Sequence, residues 1–396
     1  MTVEIILWAL ISLLLYSYIG YGLLLWLFAS IKKFKGRGRQ EEFSVHPTVT
    51  VIIPAFNEAS FIEQKILNTI SLAYPKDLLE VFFVTDGSND TSNTIIQKFP
   101  VKLFFEDERR GKMHAINRVM PYVRSEIVIF SDANTLLNAD AIRNIVQHFS
   151  NTEVGGVAGE KKIVMPVKGN NYLGIGEGIY WKYESAIKQI ESDFYTVIAS
   201  AGELFSMRTH LFQPLPDDTV LDDFMLGINI CKAGYLVKYE KEAYAMEYPS
   251  ASLHEEKKRK IRIGAGAAQA LIRIGLPSAK DWLLNLQYFS RRVIRWVVSP
   301  IALIGILFLN LFICINTDSH PIYDYLLLAQ LTFYCMAIFG LWTYYTRQRS
   351  VVFLVPFYFV FMNWCMLAGF IRQIIKRQPV TWEKSKRIQG NTAPGS

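Results

Sequence analysis

Charge is scarce in this chain of 396 residues: Lys, Arg, Asp and Glu together make up 19%, against about 25% in an average soluble domain. The shortage excludes a disordered chain, which is rich in charge and poor in apolar surface, and a coiled coil, which carries charges along its flanks. Cysteine is sparse too. Cys231, Cys314, Cys335 and Cys365 lie far apart, form no CxxC pair, and three of them fall in apolar segments. Neither a zinc site nor a disulfide framework is implied. There is no internal repeat and no low-complexity stretch. Both glycine-based nucleotide signatures are also missing. Where a dinucleotide fold needs GxGxxG after its first strand, the chain has Pro54-Ala55-Phe56-Asn57-Glu58. Ahead of Gly111-Lys112, Glu106 stands where a Walker loop needs its first glycine, and Gly174, Gly176 and Gly178 are too closely spaced for either motif. Hydride transfer on a dinucleotide and Walker-type ATP hydrolysis are excluded.

What the chain does have is apolar length. Hydrophobic residues reach 51% and gather at the two ends, leaving a mixed middle large enough for one full core. Residues 5–31 are almost wholly apolar, long enough for the roughly 20 residues that a spanning helix needs. The only early charge is Glu4, and the basic cluster Lys32, Lys33, Lys35, Arg37 and Arg39 comes afterwards. That order predicts a retained anchor rather than a cleaved signal, with the following domain on the cytoplasmic side. Three more apolar runs cover 298–315, 323–345 and 351–371. Counting helices puts the tail outside, yet its Arg372, Lys376, Arg377, Lys384, Lys386 and Arg387 would by charge lie inside. The two arguments disagree. The net charge of +7 sits mostly beside the apolar ends, which favours an anionic membrane surface over nucleic acid. Between residues 280 and 296, Trp282, Leu286, Phe289, Val293 and Trp296 recur at helical spacing, with Asp281, Asn285, Arg292 and Arg295 on the other side. The stripe fits a helix in the interface plane, or one packed on the globular part. The expected order is a spanning helix over 1–31, a basic linker over 32–47, and a globular domain over 48–275. An amphipathic helix over 276–297, membrane helices over 298–372 and a basic tail over 373–396 follow.

The middle alternates strand-like and helix-like segments, which predicts an α/β layer fold. Residues 49–53 read as a buried strand stopped by Pro54, 59–73 as a helix burying Phe61, Ile62, Ile66 and Ile70, and 81–84 and 127–130 as further strands. Each strand runs into polar residues: Asn57-Glu58, Asp86-Gly87-Ser88, and Ser131-Asp132-Ala133-Asn134. Ligands of open α/β sheets sit at the carboxyl ends of strands, so these clusters are expected to line one crevice. Acidic groups can share a crevice with a diphosphate when a hard divalent cation lies between them, and Lys112 can neutralise the remaining phosphate charge. Singly, each Asp after a strand is equally a turn former or a helix cap.

Taken in order, the segments are Val51-Ile52-Ile53-Pro54-Ala55-Phe56-Asn57-Glu58, Thr85-Asp86-Gly87-Ser88, Arg110-Gly111-Lys112-Met113-His114, Ser131-Asp132-Ala133-Asn134, Leu221-Asp222-Asp223-Phe224 and Arg259-Lys260-Ile261-Arg262-Ile263. The series resembles the membrane-bound family 2 glycosyltransferases, whose members include hyaluronan, cellulose, chitooligosaccharide and poly-N-acetylglucosamine synthases. The resemblance implies a GT-A domain with one mixed sheet, flanked by transmembrane helices, binding a nucleotide-sugar at the strand ends. It implies that Pro54, Glu58 and Asp86 surround the nucleoside and that Lys112 lies beside the diphosphate. Asp132 would begin the DxD motif that holds Mg2+ or Mn2+. Asn134 replaces the second carboxylate, so an amide oxygen would be the other ligand and the metal would be held less tightly.

The resemblance also makes Asp222-Asp223 the acidic pair, with Asp223 as the base that takes the acceptor proton. From the residues alone, the same pair reads as a charge favoured at a helix start. Arg259 and Arg262 are expected to contact the donor, and Gly202 and Gln269 the acceptor. If helical, Arg259, Arg262, Gly266, Gln269 and Arg273 share one face; the basic run from Lys257 to Lys260 can equally meet lipid headgroups. Trp181, at helical spacing from Glu177 and Glu184, reads as core or as part of an acceptor wall. The processive synthases carry a Gln-to-Trp motif, where this chain has Arg259 and Ile263. The expected function is an inverting sugar transfer from a nucleotide-sugar, UDP-linked, to a lipid-linked saccharide or an exopolysaccharide, with membrane lipid as a partner and no nucleic acid. The alternatives are a processive synthase, or a silent nucleotide-binding partner of one. A transporter would need polar or broken helices at mid-membrane, which only Asn363 suggests.

Overall fold

The computed structural model describes residues 2–35, 46–164, 172–198, 202–275, 281–316, 320–346, 350–375 and 378–379. Arg37 and Arg39 of the basic cluster, and Lys376, Arg377 and the rest of the basic tail from residue 380, lie outside the described residues. The described chain divides into two compact units. One gathers residues of Met1–Leu27, Val167–Ile179 and Ser250–Gln378; the other gathers residues of Phe28–Pro166, Tyr180–Pro249 and Pro379–Ser396.

The second unit is built on a mixed sheet of eight strands among the described residues: β1 Val49–Ala55, β2 Leu79–Asp86, β3 Lys102–Glu106, β4 Ile127–Ser131, β5 Leu136–Leu137, β6 Val154–Ile163, β7 Leu204–Arg208 and β8 Leu236–Glu247. Their order is β3-β2-β1-β4-β7-β6-β8-β5. The first four neighbours run parallel, with Val51 opposite both Val81 and Ile129. β1 is buried at every position, which is why its sequence is a continuous apolar run rather than an alternating one. The core beneath it joins Val51, Ile53, Phe83 and Ile129 to Ile62 and Ile66 of the Ile62–Ile70 helix. Pro54 does not stop the strand. It lies inside β1 opposite Val84, past Ile52, the last β1 residue in register with β4. The side of the strand that has lost its ladder tolerates a residue with no N–H.

β7 runs antiparallel to β4, with Leu204 opposite Ser131. This reversal decides the site. It brings the start of β7, and Gly202-Glu203 just before it, to the carboxyl end of β4. β6 is antiparallel to β7 and parallel to β8, so Ile163 and Glu247 also end at that edge, in register with each other.

Among the described residues, four helices are long and apolar enough to cross a membrane: Trp282–Asn316, Pro321–Thr346 and Val351–Ile374, all in the first unit, and Thr2–Ile31, which belongs to it up to Leu27. Leu7 packs with Ala302, Ile306 and Ile313, tying the first helix to the second. The boundary expected at residue 297 falls inside one unbroken helix, which has π geometry over Phe289–Val298. The first helix carries its own π segment, Tyr16–Gly20, and the two meet through Tyr16 and Ser290 hydroxyls 2.7 Å apart and Ser17 and Ser299 hydroxyls 2.9 Å apart. The boundary expected at 275 also moves, because the Leu253–Ile274 helix belongs to this unit rather than to the sheet. Its small residues explain the docking. A side chain at Gly264 would stand 3.0 Å from the Met366 carbonyl, and one at Gly369 would stand 2.6 Å from the Ala265 nitrogen. Small residues let two helix backbones approach this closely.

Candidate active site

Lys112 is the centre of the arrangement at the sheet edge. It opens the Lys112–Val119 helix behind Gly111, where the helix dipole disfavours a cation. Two carboxylates from distant segments compensate: Lys112 Nζ lies 3.0 Å from Asp132 Oδ1 and 3.1 Å from Asp222 Oδ2. Burial works against the lysine's charge, but the pair outweighs it and holds its pKa above the ordinary range. Asp132 follows β4 and keeps 32% of its side chain exposed. Burial, with Glu203 and Asp222 nearby, pushes its carboxyl up despite Lys112.

Asp86 holds the loop that delivers Lys112. It is the last residue of β2 and almost wholly buried, and its two oxygens accept the Arg110 N–H at 2.8 Å and the Gly111 N–H at 2.9 Å. Gly87 turns with φ +66°, and a side chain there would reach to within 2.7 Å of Arg109 Cβ. Only glycine suits both the left-handed backbone and the contact. Arg109 in turn stacks its guanidinium 3.6 Å from the centre of the Phe56 ring. The β1 and β2 loops are zipped together. The Asn57 amide exchanges bonds of 2.8 and 2.9 Å with Asn89, and the Glu58 N–H donates to Ser92 Oγ at 3.0 Å. Pro54 and Glu58 therefore stand on the same rim as Asp86. His114 and Arg118, further along the Lys112 helix, both pair with Glu106 at the end of β3.

Asp222 and Asp223 begin the Asp222–Lys232 helix. Asp222 turns to Lys112. Asp223 lies against Gly202, whose α-carbon would carry a methyl 3.6 Å from Asp223 Cγ. Burial, and then the neighbouring Asp222, push the Asp223 carboxyl up to about 7 against the pull of Lys112. A carboxyl that titrates near neutrality is suited to taking a proton at working pH.

Four charged residues here, Lys65, Lys161, Lys188 and Glu247, were not singled out by sequence reasoning. Lys65 is fully buried under Asp132, donates to Ser131 Oγ at 2.7 Å, and is lowered to about 7 by burial, with Asp132 opposing. Lys161, near the end of β6, pairs with both Glu203 and Glu247, and Glu247 Oε1 accepts from Asn134 Nδ2 at 3.1 Å. The signal for Lys65 was present. It sits beside Ile62, Ile66 and Thr69 on the buried face of its helix, where a lysine has to be held by partners. Lys161 Nζ also stands 5.1 Å from the centre of the Trp181 ring, and Lys188 Nζ stands 5.3 Å from it. Trp181, itself half-buried, thus lies beside two buried ammonium groups.

Arg259, Arg262 and Gln269 belong to the other unit. There the Arg259 guanidinium is committed to carboxylates: it pairs with Glu177, and with Glu256 at 3.1 Å. Glu256 also takes bonds from Ser250 at 2.6 Å and Tyr358 at 3.1 Å. Burial opposes the Glu256 charge, but Arg259 and Lys260 outweigh it and hold the carboxyl below the usual range. Where a donor contact was expected of Arg259, the structure has a buried ion cluster. Among the described residues, no group of three or more His, Cys, Asp or Glu can hold a metal ion unaided.

Residues 50–212 match the family described as Glycosyl transferase family 2. The chain carries a family 2 glycosyltransferase domain. The match spans β1 through β7 and takes in Asp86, Lys112, Asp132, Asn134 and Gly202, while Asp222 and Asp223 lie beyond its end. The chain is 22% identical to a probable glycosyltransferase, YdaM, of Bacillus subtilis (strain 168), over 88% of this chain and 89% of the relative. It is 24% identical to a poly-beta-1,6-N-acetyl-D-glucosamine synthase of Staphylococcus aureus (strain COL), over 65% of this chain and 64% of the synthase. Among solved structures, the mannosyltransferase PcManGT of Pyrobaculum calidifontis, in complex with GDP-Man and Mn2+, superposes with a TM-score of 0.71 at 22% identity, covering 94% of this chain and 99% of that one. The likeness establishes the fold: a GT-A-type mixed sheet flanked by apolar helices.

Proposed function

We propose that this glycosyltransferase is membrane-integrated and inverting, and that it moves a sugar from a nucleotide-sugar to a lipid-linked saccharide or exopolysaccharide. Its catalytic unit would face the cytoplasm. The observation that carries the reading is Lys112 held between Asp132 and Asp222, with Asp223 raised to about 7 beside Gly202. Such a group offers one cation for a diphosphate and one carboxylate for a proton, side by side. Pro54, Glu58 and Asp86 form the rim for the nucleoside, with Asp86 also fixing the turn before Lys112.

In the reaction, the acceptor hydroxyl attacks the anomeric carbon from the face opposite the departing nucleoside diphosphate. Asp223 takes the hydroxyl proton, and Gly202 leaves its carboxylate uncovered for that approach. Lys112 stays charged and balances the leaving diphosphate. A divalent cation fits the donor set. Asp132 and the amide oxygen of Asn134 would supply oxygen ligands, and a diphosphate would have to provide the others, since no protein cluster among the described residues could hold the ion alone. When bound, Mg2+ or Mn2+ neutralises charge on the leaving group. The Mn2+ in the Pyrobaculum mannosyltransferase supports this choice.

The donor is a UDP-sugar in this reading. The mannosyltransferase was solved with GDP-Man, so the deciding experiment offers the purified protein a panel of UDP- and GDP-sugars in detergent and identifies the product. Turnover of a UDP-sugar supports the proposal. Turnover of GDP-sugars alone replaces uridine with guanosine in the donor, and no transfer from any donor favours a silent partner. The Staphylococcus synthase supports a second reading, a processive polymerase, which product size distinguishes.

A further inference from the structure

The amide at position 134 stands where the DxD motif implied by the family resemblance has its second carboxylate, and its surroundings supply a reason. Asn134 Nδ2 donates to Glu247 Oε1 at 3.1 Å. The other oxygen of Glu247 is paired with Lys161, which also pairs with Glu203. Glu247 and Lys161 are both buried, so neither carboxylate nor ammonium can swing away to solvent. Two anions already share one cation. A third anion at 134 would face the Glu247 carboxylate directly, and like charges at hydrogen-bond distance in a buried setting repel strongly.

The geometry points to Glu247 as a positioning residue that demands a neutral hydrogen-bond donor at position 134 and, by taking the amide N–H, orients the carbonyl oxygen of Asn134 away from itself. The negative charge missing from the Asp132–Asn134 segment is carried instead by the end of β8. Glu247 acts through Asn134 and is assigned no contact with substrate. The inference rests on the proposed donor role of Asn134 only for its kinetic part.

The test is a double-mutant cycle on the full-length protein in detergent, using wild type, Asn134→Asp, Glu247→Gln and the double variant. Melting temperature is read without nucleotide or divalent metal, so this arm stands apart from the sugar-transfer reading. Asn134→Asp is expected to lower the melting temperature by several degrees and to raise the donor KM about tenfold or more, with a smaller change in kcat. In the double variant the Gln amide donates to the new carboxylate, and both values are expected to return to those of Glu247→Gln alone. Additive effects, or an Asn134→Asp variant that behaves as wild type, overturn the proposal. Coupling in melting temperature without coupling in KM reduces the pair to a structural contact and also overturns it. If Glu247→Gln does not fold, Asn134→Ser provides a neutral donor in the native background. It is expected to melt well above Asn134→Asp, and equal melting of the two overturns the inference.

Discussion

The Asp223 carboxylate lies against the bare α-carbon of Gly202, where an added methyl would stand 3.6 Å from Cγ and 3.8 Å from Oδ2. These are ordinary contact distances, so Gly202→Ala is expected to fold with an unchanged melting temperature. The methyl would nonetheless cover part of the carboxylate that the acceptor must reach. Acceptor KM is expected to rise while donor KM stays put. A parallel rise in both would detach Gly202 from the acceptor side.

Asp223→Asn keeps size and polarity but cannot take a proton, and turnover is expected to fall by roughly two to four orders of magnitude. Wild-type kcat should drop on the acid side of about pH 7, where Asp223 is protonated. Stability moves the other way. The carboxyl is raised from its usual 3.8 to about 7, so the stability it contributes is fully present below about pH 3.8 and is lost as the pH rises to about 7. A neutral amide in its place does not suffer that loss. The variant is therefore expected to melt higher than wild type at pH 8, with the difference vanishing towards pH 4. Thermal melts across that range check the sign, and a variant that melts lower at pH 8 contradicts the burial argument.

Asp132→Asn removes the one carboxylate of the Asp132–Asn134 segment, and transfer is expected to be abolished. With so few protein ligands, metal affinity is expected to depend on the nucleotide. Chelator is expected to inhibit the wild type fully, and Mn2+ should shift the melting curve only when nucleoside diphosphate is present. Full activity in excess EDTA sinks the metal assignment.

Ile263 stands where processive relatives are expected to carry a tryptophan. Sugar stacking on an aromatic face replaces water with contact over the ring, an area that isoleucine only partly covers. Weaker hold on the product should speed release relative to the next addition, since affinity differences fall mostly on the off-rate. Short products or single additions are expected by gel or mass spectrometry. High-molecular-weight chains from the purified protein alone show the inference from Ile263 to be wrong.

Much of the fold was legible where burial leaves a mark on composition. β1, β2 and β4 are interior strands of the sheet, each flanked on both sides, and their buried residues read directly as apolar runs. β8 was not legible, because its buried residues are interleaved with half-buried ones and interrupted by the charged run Glu240-Lys241-Glu242, so it forms no apolar run. The four apolar helices were visible from length. Their boundaries were not, since the polar face of the stripe at 282–296 looks like a separate interface helix whether or not the helix continues beyond it.

The sequence by itself determined the kinds of chemistry present: carboxylates after buried strands, a lysine behind a glycine, no glycine-rich nucleotide loop, and apolar lengths matched to a bilayer. Those are properties of composition and local period. Only the tertiary structure decided which groups meet. Lys112 reaches Asp222 because the segment after β7 returns the chain to the carboxyl end of β4, and Asn134 reaches Glu247 because β5, two residues on, pairs with the end of β8. Arg259 is the opposite case, because its type suggested a phosphate and its neighbours turned out to be Glu177 and Glu256. A charged side chain states what it can bind, but its partner is set by burial and by strands and helices distant in sequence, where leaving any ion unpaired is too costly to tolerate.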